Sequence, residues 1–234
     1  MNQDSSSKQS ARKRILDAAE TVFGNRGYKA ATIREICQKA EVNVASVNYY
    51  FNGKKGLYRE TAKRLFFEIF TRYPVRLESE QDQGPEVRLH TFIKGVLSRL
   101  LSSDGLTGFS GRGKLAVREL SDPSPILDDI VENFIRPTAA ELVAIIRELL
   151  GPEIPDLVVK RCQISVIGQC FHYAMARPVI TRLLGEDFAD EKAIQELSDH
   201  VTGFSLAGIR GIRDQIAGQP SSAAEDSAQP GVKK

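Results

Sequence analysis

Apolar residues return every three or four positions through most of the chain, and no stretch reads clearly as a strand. The pattern therefore predicts an all-α protein. A first helix is expected from about Ala11 to Asn25, with Ile15, Leu16, Ala19, Val22 and Phe23 on one stripe and Gly27 turning the chain after it. Between Thr32 and Phe51 the pattern gives two short helices joined by a three-residue turn. Ile33, Ile36, Cys37 and Ala40 line one face of the first, Val42 sits in the turn, and Val47 and Tyr50 point back from the second. Thr32 and Glu35 have capping-box spacing, and Asn43 can cap the second helix. Val44, Ala45, Asn48 and Tyr49 are then left facing outward. A fourth helix opens near Gly53 and runs to about Tyr73, carrying Leu57, Tyr58, Leu65, Phe66, Ile69 and Phe70 inward until Pro74 closes it.

The helical rhythm continues beyond Pro74. Glu86–Ser102 reads as a helix with Leu89, Ile93, Val96, Leu97 and Leu100 on its apolar side, a glycine-rich loop covers 105–113, and Lys114–Leu120 is a short helix. Pro125 starts a longer helix that Pro137 bends before Leu150. Two long apolar segments, Pro155–Ala176 and Asp190–Ile216, are rich in small residues. Ser- and Gln-rich residues 1–10 and the polar tail 218–234 are expected to be disordered. The expected organisation is a three-helix helix-turn-helix domain over 11–60 and a helical bundle over 61–217 for ligand binding and dimerisation.

Composition adds one asymmetry. Residues 1–60 hold 11 Lys plus Arg against 6 Asp plus Glu, whereas the remainder holds 21 against 24. A basic head on a mildly acidic body suits a polyanion at one end. With 41% hydrophobic residues, no apolar run near the length of a membrane span and no secretory signal, a cytoplasmic, nucleoid-associated protein without a membrane partner is expected. Cys37, Cys162 and Cys170 are an odd set without metal-ligand spacing and read as small buried side chains; neither metal nor cofactor is expected.

A short helix braced by its neighbour is the geometry that enters the major groove of DNA. Thr32 offers a hydroxyl and free backbone N–H groups to a phosphate, Lys54 a charge at the opening of the next helix, and Tyr49 a hydroxyl on a long, rigid arm. Such contacts position a protein without reading sequence. Val44 and Ala45 suit a thymine methyl and Asn48 a base edge, with Arg34 and Lys55 as secondary phosphate contacts. Thr32 also reads as a plain helix cap, and Tyr50 and Phe51 as core residues. Arg12, Lys13 and Arg14 form either an arm along the duplex or a solvated stretch.

Taken together, the stretch from Arg12 to Tyr58 resembles the DNA-binding domain of TetR-type transcriptional regulators: AAETVF, the GY turn, T-x-x-x-I, an aromatic-rich second helix and K-x-x-L-Y occur in order. VASVNYYFNGKKGLY, RELSDPSPILDDIV, IRP and ISVIGQCFHYAMARPVI are similar to the CerR (CecR) subgroup. The resemblance implies an all-helical homodimer that binds a near-palindromic operator and is released by a small molecule entering the C-terminal domain, that is, a repressor. Two positions depart from the family pattern: Tyr50 stands where histidine is common, and Ala45 where glycine is common.

Two recognition helices about one DNA turn apart select a site far better than one, so self-association is expected. The last two long helices are the candidate interface, through Cys162, Val166 and Gln169 on one and Leu197, Val201, Phe204 and Gly208 on the other. Arg118, Glu119, His172 and Arg177 interrupt apolar stretches and are candidate effector contacts, each with an alternative structural role. The rival reading is a nucleotide-binding enzyme, since 108–114 has the spacing G-x-x-x-x-G-K. Leu115 stands where Ser or Thr would hold magnesium, and the preceding segment is helical. A helical adaptor that dimerises without touching DNA is the other alternative. His90, His172 and His200 are far apart, and no hydrolase motif occurs.

Lys54→Ala is expected to weaken binding to all DNA sequences alike and to lower the slope of log affinity against log salt by about one. Asn48→Ala is expected to cost ~1–3 kcal/mol at particular operator positions only; an unchanged base preference would refute its reading role.

Overall fold

The computed structural model describes residues 2–80, 82–106, 111–185 and 187–218. Helices follow one another along all of these segments, with no strand among the described residues. The first helix, α1 (Asn2–Ala30), is interrupted at Gly27, whose φ of 73° and ψ of 173° break the helical path. It begins well before Ala11. The segment expected to be disordered contains no proline or glycine, so each further residue adds a helical hydrogen bond to an existing nucleus. The polar tail 219–234 and loop residues 107–110, including the start of the phosphate-loop spacing, lie outside the described residues.

Helices α2 (Ile33–Ala40), α3 (Val44–Phe51) and α4 (Lys54–Arg72) pack with α1 around a first core that holds Ile15, Phe23, Ile36, Val47, Leu57 and Leu65. The expected divide near residue 60 falls inside α4, a single unbroken helix. Leu115 and Ala116 of α6 (Gly111–Ser121) complete the same core from the distal half of the chain. A second core lies among α5 (Pro85–Leu101), α8 (Arg136–Leu150), α9 (Asp156–Met175) and α11 (Glu191–Ala217), with Leu89, Phe92, Ile145, Ile146, Val166 and Val201 buried in it. Between α6 and α8 the chain forms a short α7 (Leu127–Ile130) and one stretch of π-helix, Val131–Ile135. Pro137 follows at once and has no N–H to return to residue 133, so the expected bend is made by widening the turn ahead of it. The pattern missed α10 (Arg177–Leu184), which has Pro178 in its first turn, where the missing N–H costs nothing.

Two backbone approaches fix how α4 is seated. A Cβ on Gly56 would lie 1.7 Å from the carbonyl oxygen of Phe51, so glycine is what lets α4 start directly against the end of α3. A Cβ on Gly95 would lie 2.4 Å from the carbonyl oxygen of Pro74, where α5 crosses the chain leaving α4. Gly56→Ala is expected to destabilise the protein by about 1–3 kcal/mol or more, because backbone rather than a mobile side chain would have to yield. Urea unfolding monitored by circular dichroism would show it; an unchanged midpoint would mean that α3 and α4 have room to separate.

Candidate nucleic-acid interface

The turn between α2 and α3 is built by local rules. Thr32 caps α2 by accepting from Glu35 N at 3.2 Å, and Glu41 at its end adopts the left-handed conformation, φ 54°. Only part of the expected capping box is made, because the Glu35 carboxylate turns to Arg26 Nε at 2.6 Å. Asn43 caps α3 through Oδ1, which accepts from Ala45 N at 2.9 Å. Val47 and Phe51 are buried beneath α3 and Tyr50 is half-buried. The opposite face carries Val44, Ala45, Asn48 and Tyr49, all exposed, with Tyr49 at 74%. The Tyr49 ring meets Tyr50 edge-on at 4.9 Å, which restricts where its hydroxyl points.

The cations around this face fall into two groups. Arg34, Lys55, Lys13 and Arg14 are exposed, and the described residues offer them no carboxylate partner. Arg12 and Lys54 are engaged. Arg12 pairs with Glu60 at 3.0 Å and lies over the Phe51 ring, which makes it a brace for α3. Lys54 Nζ donates to Lys29 O at 3.1 Å and stands 4.9 Å from the Tyr28 ring centroid. Its charge stays beside the open N-terminus of α4, where Gly53 supplies no side-chain cap.

The candidate effector residues do not converge. A cavity of about 410 Å³ lies at the seam between the two cores, with walls that include Phe66, Phe70 and Ala116 on one side and Val96, Leu100 and Ile167 on the other. Of the four candidates only Glu119 lines it. Glu119 is buried and accepts from the Tyr58 hydroxyl and from Ser124 N and Oγ. Burial first, then the bond to Glu119, drive the Tyr58 pKa upward, so the hydroxyl keeps its proton. Arg118 points instead to Asn25 O at 2.9 Å, His172 is exposed, and Arg177 binds Asp187 at 2.7 Å. The cavity's other polar groups are Arg99, Thr138 and Gln163. Arg99 carried the same signal as the four candidates, a charge inside an apolar run, VLSRLL, and was overlooked.

The candidate interface residues divide as well. Cys162, Val166, Leu197 and Val201 are buried in their own subunit's second core, and Gln169 donates to Ser205 Oγ at 3.2 Å. Phe204, 64% exposed, and Gly208 face outward. The strongest apolar stripe of each helix is the one its own core takes, which leaves for any partner a lesser stripe of Phe204, Ala207 and Gly208 on α11, and on α9 Ile164 and Gly168, which also line the cavity. The three cysteines are buried and unpaired, with burial pushing the Cys170 thiol up to about 12. Among the described residues there is no cluster of His, Cys, Asp or Glu able to hold a metal ion, and no helix long and apolar enough to cross a membrane.

Residues 15–61 match the family model for bacterial regulatory proteins of the tetR family, and residues 85–209 match the C-terminal domain of the HTH-type transcriptional dual regulator CecR. The chain belongs to the tetR family, with a CecR-type C-terminal domain. It is 26% identical to CecR of Shigella flexneri, over 82% of this chain and 88% of that protein. Identity to the probable regulator YttP of Bacillus subtilis is 28%, over 55% of this chain and 59% of YttP. The fold is shared with FadR of Bacillus subtilis, solved in complex with stearoyl-CoA, at a TM-score of 0.58 and 17% identity, covering 84% of this chain and 98% of that one. This tetR-family chain is thus a DNA-binding regulator of transcription and not an enzyme. Within that frame Lys114, the last residue of the phosphate-loop spacing, is a helix residue whose Nζ reaches Asn25 Oδ1 at 3.4 Å.

Proposed function

We propose that the protein is a cytoplasmic, nucleoid-associated homodimeric repressor that binds a near-palindromic operator and leaves it when a small molecule enters the cavity between the two cores. The observation that carries the DNA reading is the exposed face of α3, whose side chains have a firm core beneath them and unpaired cations beside them. In this reading Val44, Ala45 and Asn48 meet base edges, while Thr32, Tyr49, Arg34, Lys54 and Lys55 meet phosphates. Lys54 acts from its seat on Lys29 O, as a charge added to the α4 terminus.

Self-association is supported by the outer stripe of α9 and α11. Ile164 and Phe204 are 69% and 64% exposed, and beside them a Cβ on Gly168, Gly203, Gly208 or Gly211 would meet nothing within 4 Å. Large apolar side chains set among small residues allow helices of two subunits to pack closely about a two-fold axis. The effector reading is supported by the cavity's place, since it touches α4 as well as the C-terminal bundle.

Selection of genomic fragments by the purified chain is expected to return a site with two-fold symmetry, bound by two chains, with affinity falling steeply as salt rises. A chain that stays monomeric and binds no duplex at low salt would overturn the proposal. Phe204→Glu is expected to give a folded monomer in sedimentation and to lower operator affinity at least about tenfold. An intact dimer in that variant would place the interface elsewhere.

A further inference from the structure

The seam cavity contains one polar group whose chemistry is incomplete. Arg99 is only 6% exposed, and its guanidinium sits 3.8 Å over the Phe70 ring. Nε donates to Tyr73 O at 2.7 Å and Nη1 to Thr138 Oγ1 at 3.3 Å. An arginine has five N–H donors, so most of the fork remains without a protein acceptor. No carboxylate lies near it, and burial alone pulls its pKa down to about 10, which leaves it charged at neutral pH. The acidic group of the cavity wall, Glu119, is already bound by Tyr58 and Ser124. The remaining walls are overwhelmingly hydrocarbon, from Phe66 and Phe70 to Phe171 and Met175. A buried charge without a counter-ion is costly, and an anion that pairs with it in an apolar surround recovers that cost.

From this geometry, and resting on the reading of the cavity as the effector site, we infer that the effector is an organic carboxylate with an apolar body, its carboxylate paired with Arg99 and its body against Phe66, Phe70 and Phe171. Arg99 is also where such a ligand would act on the DNA-binding half. Tyr73 is the C-cap of α4, so the carbonyl that Arg99 holds belongs to the residue that directly follows the helix. A carboxylate competing for the guanidinium loosens the grip on α4 from the inside. The carboxylate thus both selects the ligand and reports its arrival.

Calorimetric titration of the full chain with decanoate and with 4-butylbenzoate, each against its primary amide, tests the inference together with operator release by the same four compounds. The acids are expected to bind about 10- to 100-fold tighter than the amides and to release the operator, and Arg99→Gln to remove the difference. The acid–amide comparison in the unaltered protein needs no variant, so it stands even if Arg99→Gln folds poorly. Equal binding and equal release by acids and amides would overturn the carboxylate assignment while leaving the cavity as the effector site. Failure of all four compounds to bind or to alter operator affinity would overturn both.

Discussion

Helix α6, whose Glu119 lines the cavity, is fixed to α4 by a tyrosine hydroxyl buried in the first core. Tyr58 stands on α4 with its ring edge-on to Phe23 at 4.7 Å and 4.9 Å from Tyr28, so α1 fixes its position. Its hydroxyl donates to Glu119, which belongs to α6 and forms part of the cavity wall. A hydrogen bond to a buried carboxylate is worth about 1.5–3 kcal/mol, and breaking it removes one of the groups that satisfy that charge. Leu115 and Ala116 pack α6 into the same core, and its remaining polar ties to the DNA-binding half are of another kind. Arg118 to Asn25 O, Lys114 to Asn25 Oδ1, and Lys29 to Asp122 are exposed contacts with solvent as a ready substitute. Among the polar contacts, the seating of α6 against α4 therefore depends on Tyr58 and Glu119 more than on the more numerous surface bonds.

That hierarchy explains why α4 is the element both halves share. Near its start Gly56 presses it against the end of α3, and Lys54 ties it to the last turn of α1, beyond the break at Gly27. Midway, Tyr58 joins it to α6. At its end, Tyr73 is held twice, its carbonyl by Arg99 and its hydroxyl by Asp104 at 2.8 Å. A helix anchored at both ends is the element that, under the proposed effector mechanism, would carry a change at Tyr73 toward α3. The proposed mechanism needs coupling of ~1–3 kcal/mol, the size of one such buried polar contact.

The DNA-binding half was legible in the sequence because its instructions are local. Thr32, Asn43 and the apolar stripe of α2 each act within four residues, and the structure follows them nearly to the residue. The second half was legible as helices but not as surfaces. Cys162, Val166, Leu197 and Val201 repeat at helical spacing, as interface residues do, yet a helix in a bundle gives that stripe to its own core. Periodicity alone does not say which of two apolar faces meets a partner. The cavity was less legible still, since its walls come from α4 to α9 and no spacing along the chain links Phe66 to Gln163. Lys54 shows the same limit: its charge was evident, but its bond to Lys29 O joins residues 25 apart and is a product of the turn at Gly27.

Gly27 shows how tightly these features are bound to one another. Its positive φ, a conformation that other residues adopt only with strain, turns the chain out of α1 and brings Lys29 O within reach of Lys54. The space left by its missing side chain is filled from the other half of the molecule, where a Cβ would lie 2.9 Å from Arg118 Nη1. One residue without a side chain thus sets both the seat of α4 and the approach of α6. Helix α4, which packs against α3, and helix α6, which lines the cavity, are both positioned from the same turn.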